Sequence, residues 1–276
     1  MSVKIITLDL DGTLMSPDHL TVSKRNREAL KAAHDKGVKI TISTGRTLSI
    51  MGDVCVQVPQ VDYVMYSNGA AVLDRRENKN IYSRLMDWDF CSGILDYLNA
   101  NPVFYEVYVD GFSYVQPNKS EYFIDDLLPK EFVDSLLGNM NACDDVKKAV
   151  SGHSIEKITV YSGDKEVLDR MWKHFEGMEN ISLTSSMHAN MEITKAGVDK
   201  GTALDGMCKK LGIDKNEAMC FGDAGNDIPM LKYAGYSFAM GNGTDECKRA
   251  AKHVTLSNAE DGVADAIEKF ILNKKR

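Results

Sequence analysis

Two aspartates spaced i and i+2, Asp9 and Asp11, close the first apolar run of the chain, Val3-Lys4-Ile5-Ile6-Thr7-Leu8-Asp9-Leu10-Asp11-Gly12-Thr13-Leu14. A short apolar run rich in β-branched residues predicts a buried strand. Side chains alternate along a strand, so the two carboxylates share a face if the extended geometry continues. Gly12 then lets the chain turn away. Carboxylates held this close repel unless something positive sits beside them. A divalent cation with a phosphate substrate meets that need, because magnesium accepts one or two carboxylates, keeps several waters and shares a phosphate oxygen. One carboxylate could then attack phosphorus and the other shuttle a proton. Taken alone, Asp-x-Asp-Gly equally fits a polar turn after a strand.

Three further loops carry residues suited to the same chemistry. Thr44-Gly45 follows an apolar run and offers a hydroxyl and a backbone N–H at an expected helix start, a ready anion site. Lys200 opens an expected helix, where its ammonium can reach a phosphate or a nucleophile. Asp223, with Asn226 and Asp227 within one turn, follows the run Ala218-Met219-Cys220-Phe221. Each has a plainer reading: Thr44 as a cap, Lys200 as a solvated lysine, Asp223 and Asp227 as turn and cap residues. The plainer readings must hold independently at four strand ends, whereas one site explains all four together.

The elements that must position these residues alternate. A strand at Val38–Ile42 follows a helix at Ser23–Lys36, and a helix is expected from Thr47 to about Val56. Tyr63–Tyr66 is a third strand, ending at Ser67-Asn68-Gly69. Strand and helix in alternation imply a doubly wound, mostly parallel α/β sheet of Rossmann-like type. Ligands in such sheets collect beyond the carboxyl ends of the strands, where these loops lie. The rhythm returns near Met191 with helices at Asp199–Leu211 and from Asp245, strands at Ala218–Phe221, Ser237–Met240 and Val254–Leu256, and a final amphipathic helix around Val263–Ile271. Between about Arg84 and Asn190 the texture differs. Two runs alternate around Asp110-Gly111, a strong hairpin signal, amid helices at Asp89–Asn101 and Lys165–Phe175. This predicts an inserted α+β domain at 84–190 within a core formed by 1–83 and 191–276.

Composition narrows the class. The chain has 276 residues, is 43% hydrophobic and 26% charged, and carries a net charge of −7. That balance suits a globular protein and leaves no basic footprint for nucleic acid or an anionic membrane. The six cysteines are scattered without metal-ligand spacing and read as free thiols. No signal peptide or membrane-length apolar run is present, so a cytoplasmic protein is expected.

The combination Asp9-Leu10-Asp11-Gly12-Thr13, Ser43-Thr44-Gly45-Arg46, Lys200 and Gly222-Asp223-Ala224-Gly225-Asn226-Asp227 resembles the haloacid dehalogenase superfamily, most closely the Cof-type (subclass IIB) phosphatases with a large α+β cap of C2B type. The resemblance covers the whole chain. It implies that Asp9 attacks phosphorus to form an aspartyl phosphate. Asp11 would protonate the leaving alcohol and then deprotonate the hydrolytic water. Asp9, the main-chain carbonyl of Asp11 and Asp223 would hold Mg²⁺, with Asp227 in support. Thr44, Lys200, Asn226 and backbone N–H groups near Leu10 and Gly45 would bind the phosphoryl group. Arg46, Asn68 and Asn190 are candidate substrate contacts, as are the cap aromatics Tyr105 and Tyr108. The expected substrate is a small phosphorylated metabolite, such as a sugar phosphate or related cofactor, and no protein partner is implied. Two rivals stand beside this reading. A phosphomutase would need clustered basic residues in the cap, where the sequence scatters them. A non-catalytic binder of phosphorylated metabolites would tolerate loss of Asp9, Asp11 or Lys200, all of which are present.

Overall fold

Ile5-Ile6-Thr7-Leu8 is buried along its whole length because it lies in the middle of a sheet covered on both faces. The computed structural model describes residues 3–117, 138–185 and 189–273. Strand β1 (Ile5–Leu8) pairs in parallel with β2 (Lys39–Ser43) on one side and with β12 (Ala218–Gly222) on the other. With β3 (Val61–Tyr66), β13 (Tyr236–Ala239) and β14 (His253–Val254), the order is β14-β13-β12-β1-β2-β3. The chain winds outward from β1 in one direction first and later in the other. The switch point is therefore at the carboxyl end of β1, where such sheets bind ligands.

The helices that cover this sheet follow local rules. Ser23 caps the helix Lys24–His34 by accepting from the Asn26 N–H. Asp199 caps Lys200–Leu211 in a reciprocal box with Thr202, and Gly212 ends that helix in the left-handed conformation. Pro229 lies in the first turn of Ile228–Tyr233.

One stretch without an expected element proves to be strand, and two expectations need correction. The stretch after Ser67-Asn68-Gly69 forms a hairpin, β4 (Ala71–Asp74) and β5 (Lys79–Ser83), which extends the sheet antiparallel to β3. Mixed edges of this kind are common on otherwise parallel sheets. The half-exposed, polar β5 shows no alternation that would mark it as a strand. The helix expected from Thr47 is broken into a 3₁₀ turn at Leu48–Ile50 and a short helix at Gly52–Gln57, so Thr44-Gly45 does not open a helix. Finally, the return to the core comes later than Met191. Strand β11 (Asn190–Lys195) pairs antiparallel with β10 (Ile181–Thr184) and β9 (Lys157–Tyr161). The second compact unit comprises Thr47–Ile50 and Arg84–Val198. A strand just before a helix imitates a parallel βα unit in sequence, but its pairing partners are those of the inserted sheet.

That second unit is α+β, with a six-stranded sheet in the order β10-β11-β9-β6-β7-β8, where β6 is Phe104–Val109, β7 is Phe112–Val115 and β8 is Asn141–Ala142. Asp110 and Gly111 both have positive φ, as the tight hairpin requires. The polar run from Pro117 to about Val150, for which the sequence predicts helix in parts, falls largely outside the described residues; Val146–Ala149 is a short helix. The sheet has two unlike faces. Tyr105, Val107, Ile158, Val160, Met191 and Ile193 join the helices Trp88–Asn99 and Lys165–Phe175 in an apolar core. The alternate residues carry Glu106, Lys157 and Glu192, all buried. Lys157 Nζ donates to Glu192 Oε1 at 2.7 Å and lies 4.5 Å from the centroid of the Tyr108 ring. Glu106 accepts from Ser113 Oγ at 2.9 Å and from the Tyr161 hydroxyl at 2.8 Å. The cysteines are free thiols, four of them buried. Among the described residues no helix is long and apolar enough to cross a membrane.

Close backbone approach holds the first unit together around the helix Lys200–Leu211. A Cβ at Gly201 would lie 2.6 Å from the carbonyl carbon of Pro229, which is backbone and cannot swing aside. Gly201→Ala should therefore destabilise the protein, although alanine favours helix. Overpacking of this kind costs about 1–3 kcal/mol. Urea unfolding should show a lower midpoint at unchanged slope; an unchanged or raised midpoint would contradict the packing described.

Candidate active site

Strand β1 ends at Leu8, and the chain does not remain extended through Asp11. Asp9 is still extended, Leu10 turns into a helical loop, and Gly12 takes φ 77. The shared face expected for Asp9 and Asp11 is lost for this reason, and each carboxylate has its own cation. Lys200 Nζ donates to Asp9 Oδ1 at 2.6 Å. Arg46 donates to Asp11 through Nε, at 2.9 Å, and through Nη2. His19 Nδ1–H donates to Asp11 Oδ1 at 2.9 Å.

Lys200 is fully buried and is shared, since its Nζ also donates to Asp227 Oδ1 at 2.6 Å. The other Asp227 oxygen accepts the backbone N–H groups of Asp223, at 2.9 Å, and Ala224, at 3.0 Å. Asp227 therefore ties the lysine to the loop after β12. Asp223 Oδ1 accepts from Thr13 Oγ1 at 2.7 Å. A Cβ on Gly12 would fall 2.4 Å from Asp223 Oδ2, so only glycine lets the first loop pass this carboxylate. Asn242 Nδ2 holds the same loop by donating to the Gly12 carbonyl at 2.8 Å.

Asp9, Asp223 and Asp227 each present a carboxylate oxygen within 4.8 Å of the others. One lysine does not neutralise three carboxylates. Burial, the Asp227 charge and the other neighbouring acids push the Asp9 carboxyl well above its usual range, against the opposing pull of Lys200. Burial and Asp227 push Asp223 up to about 7. Burial opposes the Lys200 charge, but Asp227 and Asp9 outweigh it and hold the ammonium firmly protonated. Burial also acts to raise Asp11, yet the Arg46 charge and hydrogen bonds from His19 and Arg46 draw it well below the usual carboxylate range. Crowded oxygen donors of this kind fit a hard divalent cation. Asp9 and Asp223 are suited to direct contact, whereas both Asp227 oxygens already have strong partners. The Asp11 carboxylate lies outside the three-residue group.

The remaining expected residues divide. Thr44 is buried, and its hydroxyl accepts from the Arg46 N–H at 3.1 Å. Asn226 Nδ2 donates to Asn68 Oδ1 at 3.2 Å, and the Asn68 N–H donates to the Thr44 carbonyl at 3.0 Å. Asn68 has φ 57, and a Cβ on the following Gly69 would meet the Asp199 carbonyl oxygen at 2.6 Å, which seats this turn against the start of the Lys200 helix. Leu10 is wholly buried, so only its backbone can serve a ligand. In the second unit, Tyr105 lies in the apolar core and donates to Asn99 Oδ1, which removes it as a substrate contact. Asn190 is buried and accepts from Ser185 Oγ at 2.9 Å. His19 is the residue that motif reading missed. Only the turn signal Ser16-Pro17-Asp18 beside it marks the place in sequence.

A family profile described as haloacid dehalogenase-like hydrolase matches residues 6–267. The chain is 31% identical over 273 residues to 5-amino-6-(5-phospho-D-ribitylamino)uracil phosphatase YcsE of Bacillus subtilis, covering 99% of this chain and 97% of that one. It is 29% identical to phosphatase YwpJ of the same organism, covering 98% and 100%. Among solved structures, a haloacid dehalogenase-like hydrolase from B. subtilis superposes with a TM-score of 0.87 at 29% identity, covering 98% of this chain and all of that one. The subclass IIB sugar phosphatase BT4131 does so with a TM-score of 0.80 at 25% identity, covering 97% and 99%. With profile, relatives and fold in agreement over nearly its whole length, the chain belongs to the haloacid dehalogenase-like hydrolases and, among them, to the Cof-type phosphatases.

Proposed function

We propose that this phosphatase hydrolyses phosphate monoesters of small metabolites, with Asp9 as nucleophile and Mg²⁺ as cofactor. The carrying observation is the buried contact of Lys200 with Asp9 at the carboxyl end of the central strand, beside Asp223 and Asp227. Lys200 orients one Asp9 oxygen and leaves the other for phosphorus. Attack forms the Asp9–phosphorus bond as the bond to the leaving oxygen breaks, and Asp11, which must first take up a proton from solvent against the pull of Arg46 and His19, supplies the proton that the leaving alkoxide needs. Asp11 then removes a proton from water, whose oxygen attacks phosphorus and releases inorganic phosphate and free Asp9. Asp9, the Asp11 carbonyl and Asp223 would hold the cation, with Asp227 orienting Lys200 and the Asp223 loop. When bound, the cation supplies positive charge to the equatorial phosphoryl oxygens, which is the main demand of phosphoryl transfer. Thr44, Asn226, Lys200 and N–H groups near Leu10 and Gly45 are assigned to the same oxygens. Asn68 supports Asn226. The names of YcsE and BT4131 favour a phosphorylated ribityl compound or sugar as substrate.

Asp9→Asn should lower phosphate release by at least about 10³-fold across a panel of phosphorylated metabolites assayed with Mg²⁺. Acid-quenched protein should carry covalent phosphate in the wild type and none in the variant. Label retained by Asp9→Asn would exclude Asp9 as nucleophile.

The carboxylate crowding also predicts how stability responds to pH without metal. Burial and Asp227 raise the folded-state Asp223 from 3.8 to about 7, so its stabilising contribution is full below about 3.8 and is lost as pH rises through about 7. In chelator, the melting temperature of wild type should fall between pH 5 and 8 relative to Asp223→Asn. Mg²⁺ should reverse that fall at pH 8. Parallel melting curves for the two proteins, with no response of the wild type to Mg²⁺, would refute the assignment of a cation site here.

A further inference from the structure

We propose that Arg46 and His19 are positioning residues, which hold the Asp11 carboxylate in one orientation for proton transfer with the leaving group. This rests on the roles proposed above for Asp9 and Asp11.

Three directions of contact fix the carboxylate. The Arg46 guanidinium meets both Asp11 oxygens, Nε on Oδ2 and Nη2 on Oδ1. Such a fork admits a single carboxylate plane, which one cationic point charge would not. His19 Nδ1 adds a second donor to Oδ1 at 2.9 Å. The two donors are themselves joined, because Arg46 Nη2 reaches the His19 carbonyl at 3.3 Å.

The supports of this pair are built as carefully as the pair. The Arg46 backbone is held at both ends, its N–H by the Thr44 hydroxyl and its carbonyl by the Ser67 N–H at 3.1 Å. The Arg46 side chain is only 12% exposed. His19 sits in a tight loop where Asp18 Oδ1 accepts the N–H groups of Leu20 and Thr21, each at 2.9 Å. The Ser16 N–H closes the loop on the Thr21 carbonyl at 2.8 Å. Within it His19 takes φ 57, a conformation unusual for a residue with a side chain. The loop thus keeps an uncommon backbone state and aims an imidazole at Asp11.

The geometry separates this role from substrate binding. A guanidinium spent on both oxygens of Asp11 is not presenting that fork to a ligand. It also separates Asp11 from the cation cluster, since Lys200 serves Asp9 and Asp227 while Arg46 and His19 serve Asp11. The nucleophile and the proton carrier are therefore oriented by different cations, and one set can be perturbed without the other.

The test compares leaving groups that differ in their need for a proton. 4-Nitrophenyl phosphate leaves readily without one, and phenyl phosphate needs one more. The parameter kcat/KM covers steps only through departure of the leaving group, so the later role of Asp11 with water does not enter. With Mg²⁺, the ratio of kcat/KM for 4-nitrophenyl phosphate to that for phenyl phosphate should rise by at least about tenfold in Arg46→Ala and in His19→Ala, within the range that general acids contribute. His19→Asn keeps an N–H donor and tolerates positive φ, so its ratio should return towards wild type. The His19 pair lies on a surface loop and decides the matter even if Arg46→Ala fails to fold. Equal losses on both esters, or a His19→Asn ratio matching that of His19→Ala, would overturn the positioning role and leave the phosphatase mechanism standing. A wild-type protein that hydrolyses neither ester with Mg²⁺ would remove the mechanism itself and this inference with it.

Discussion

A single buried ammonium holds the first unit's site together. Lys200 has no exposed surface and reaches Asp9 and Asp227 at the same distance. A lysine in that position is tolerable only with opposite charge beside it, and stripping away one partner of a buried pair costs about 3–5 kcal/mol. The three segments that meet there come from distant parts of the sequence: the end of the first strand, the start of the helix Lys200–Leu211 and the turn after Ala218–Gly222. Each can come close because glycine omits a side chain, at Gly12 against Asp223, at Gly201 against Pro229 and at Gly222 against Asp227. Electrostatics sets where the segments must meet, and backbone shape lets them do so.

The same site shows what that arrangement costs. Asp9, Asp223 and Asp227 share one permanent counter-charge, so burial leaves Asp9 and Asp223 reluctant to ionise. A fold that kept these acids only for stability would gain from replacing some of them. Retaining all three makes sense where added positive charge, from a cation, completes the set. Asp11 stands apart because Arg46 and His19 already satisfy it.

Much of this was legible from residue order. The strand ends and the helices with strong caps, such as Asp199 before Lys200 and Ser23 before Lys24, are local signals that the structure repeats nearly residue for residue. The Asp110-Gly111 hairpin was legible for the same reason, as two adjacent positive-φ residues leave few alternatives. Features set by long-range partners were not. Strand Asn190–Lys195 announces a strand but not which sheet it joins. Ala71–Asp74 is too short, and Lys79–Ser83 too short and polar, to show a period. The destinations of Asp9 and Asp11 depend on the backbone of Leu10 and Gly12, which turns the two carboxylates towards different cations. His19 is silent in sequence because its meaning lies in a contact with a residue eight positions earlier across a turn.

The two-faced sheet of the second unit bears on how this protein can diverge. Along Phe104–Val109 the residues that build the apolar core alternate with residues joined in polar contacts. A change at Val107 or Ile158 therefore tests folding, whereas a change at Glu106, Lys157 or Glu192 tests a network of buried partners. Lys157 without Glu192, or Ser113 and Tyr161 without Glu106, would strand polar groups that water cannot reach. The polar face is thus free to take new chemistry only in matched sets. Drift there should proceed by coupled exchanges, while the apolar face a few ångströms away accepts small changes one at a time.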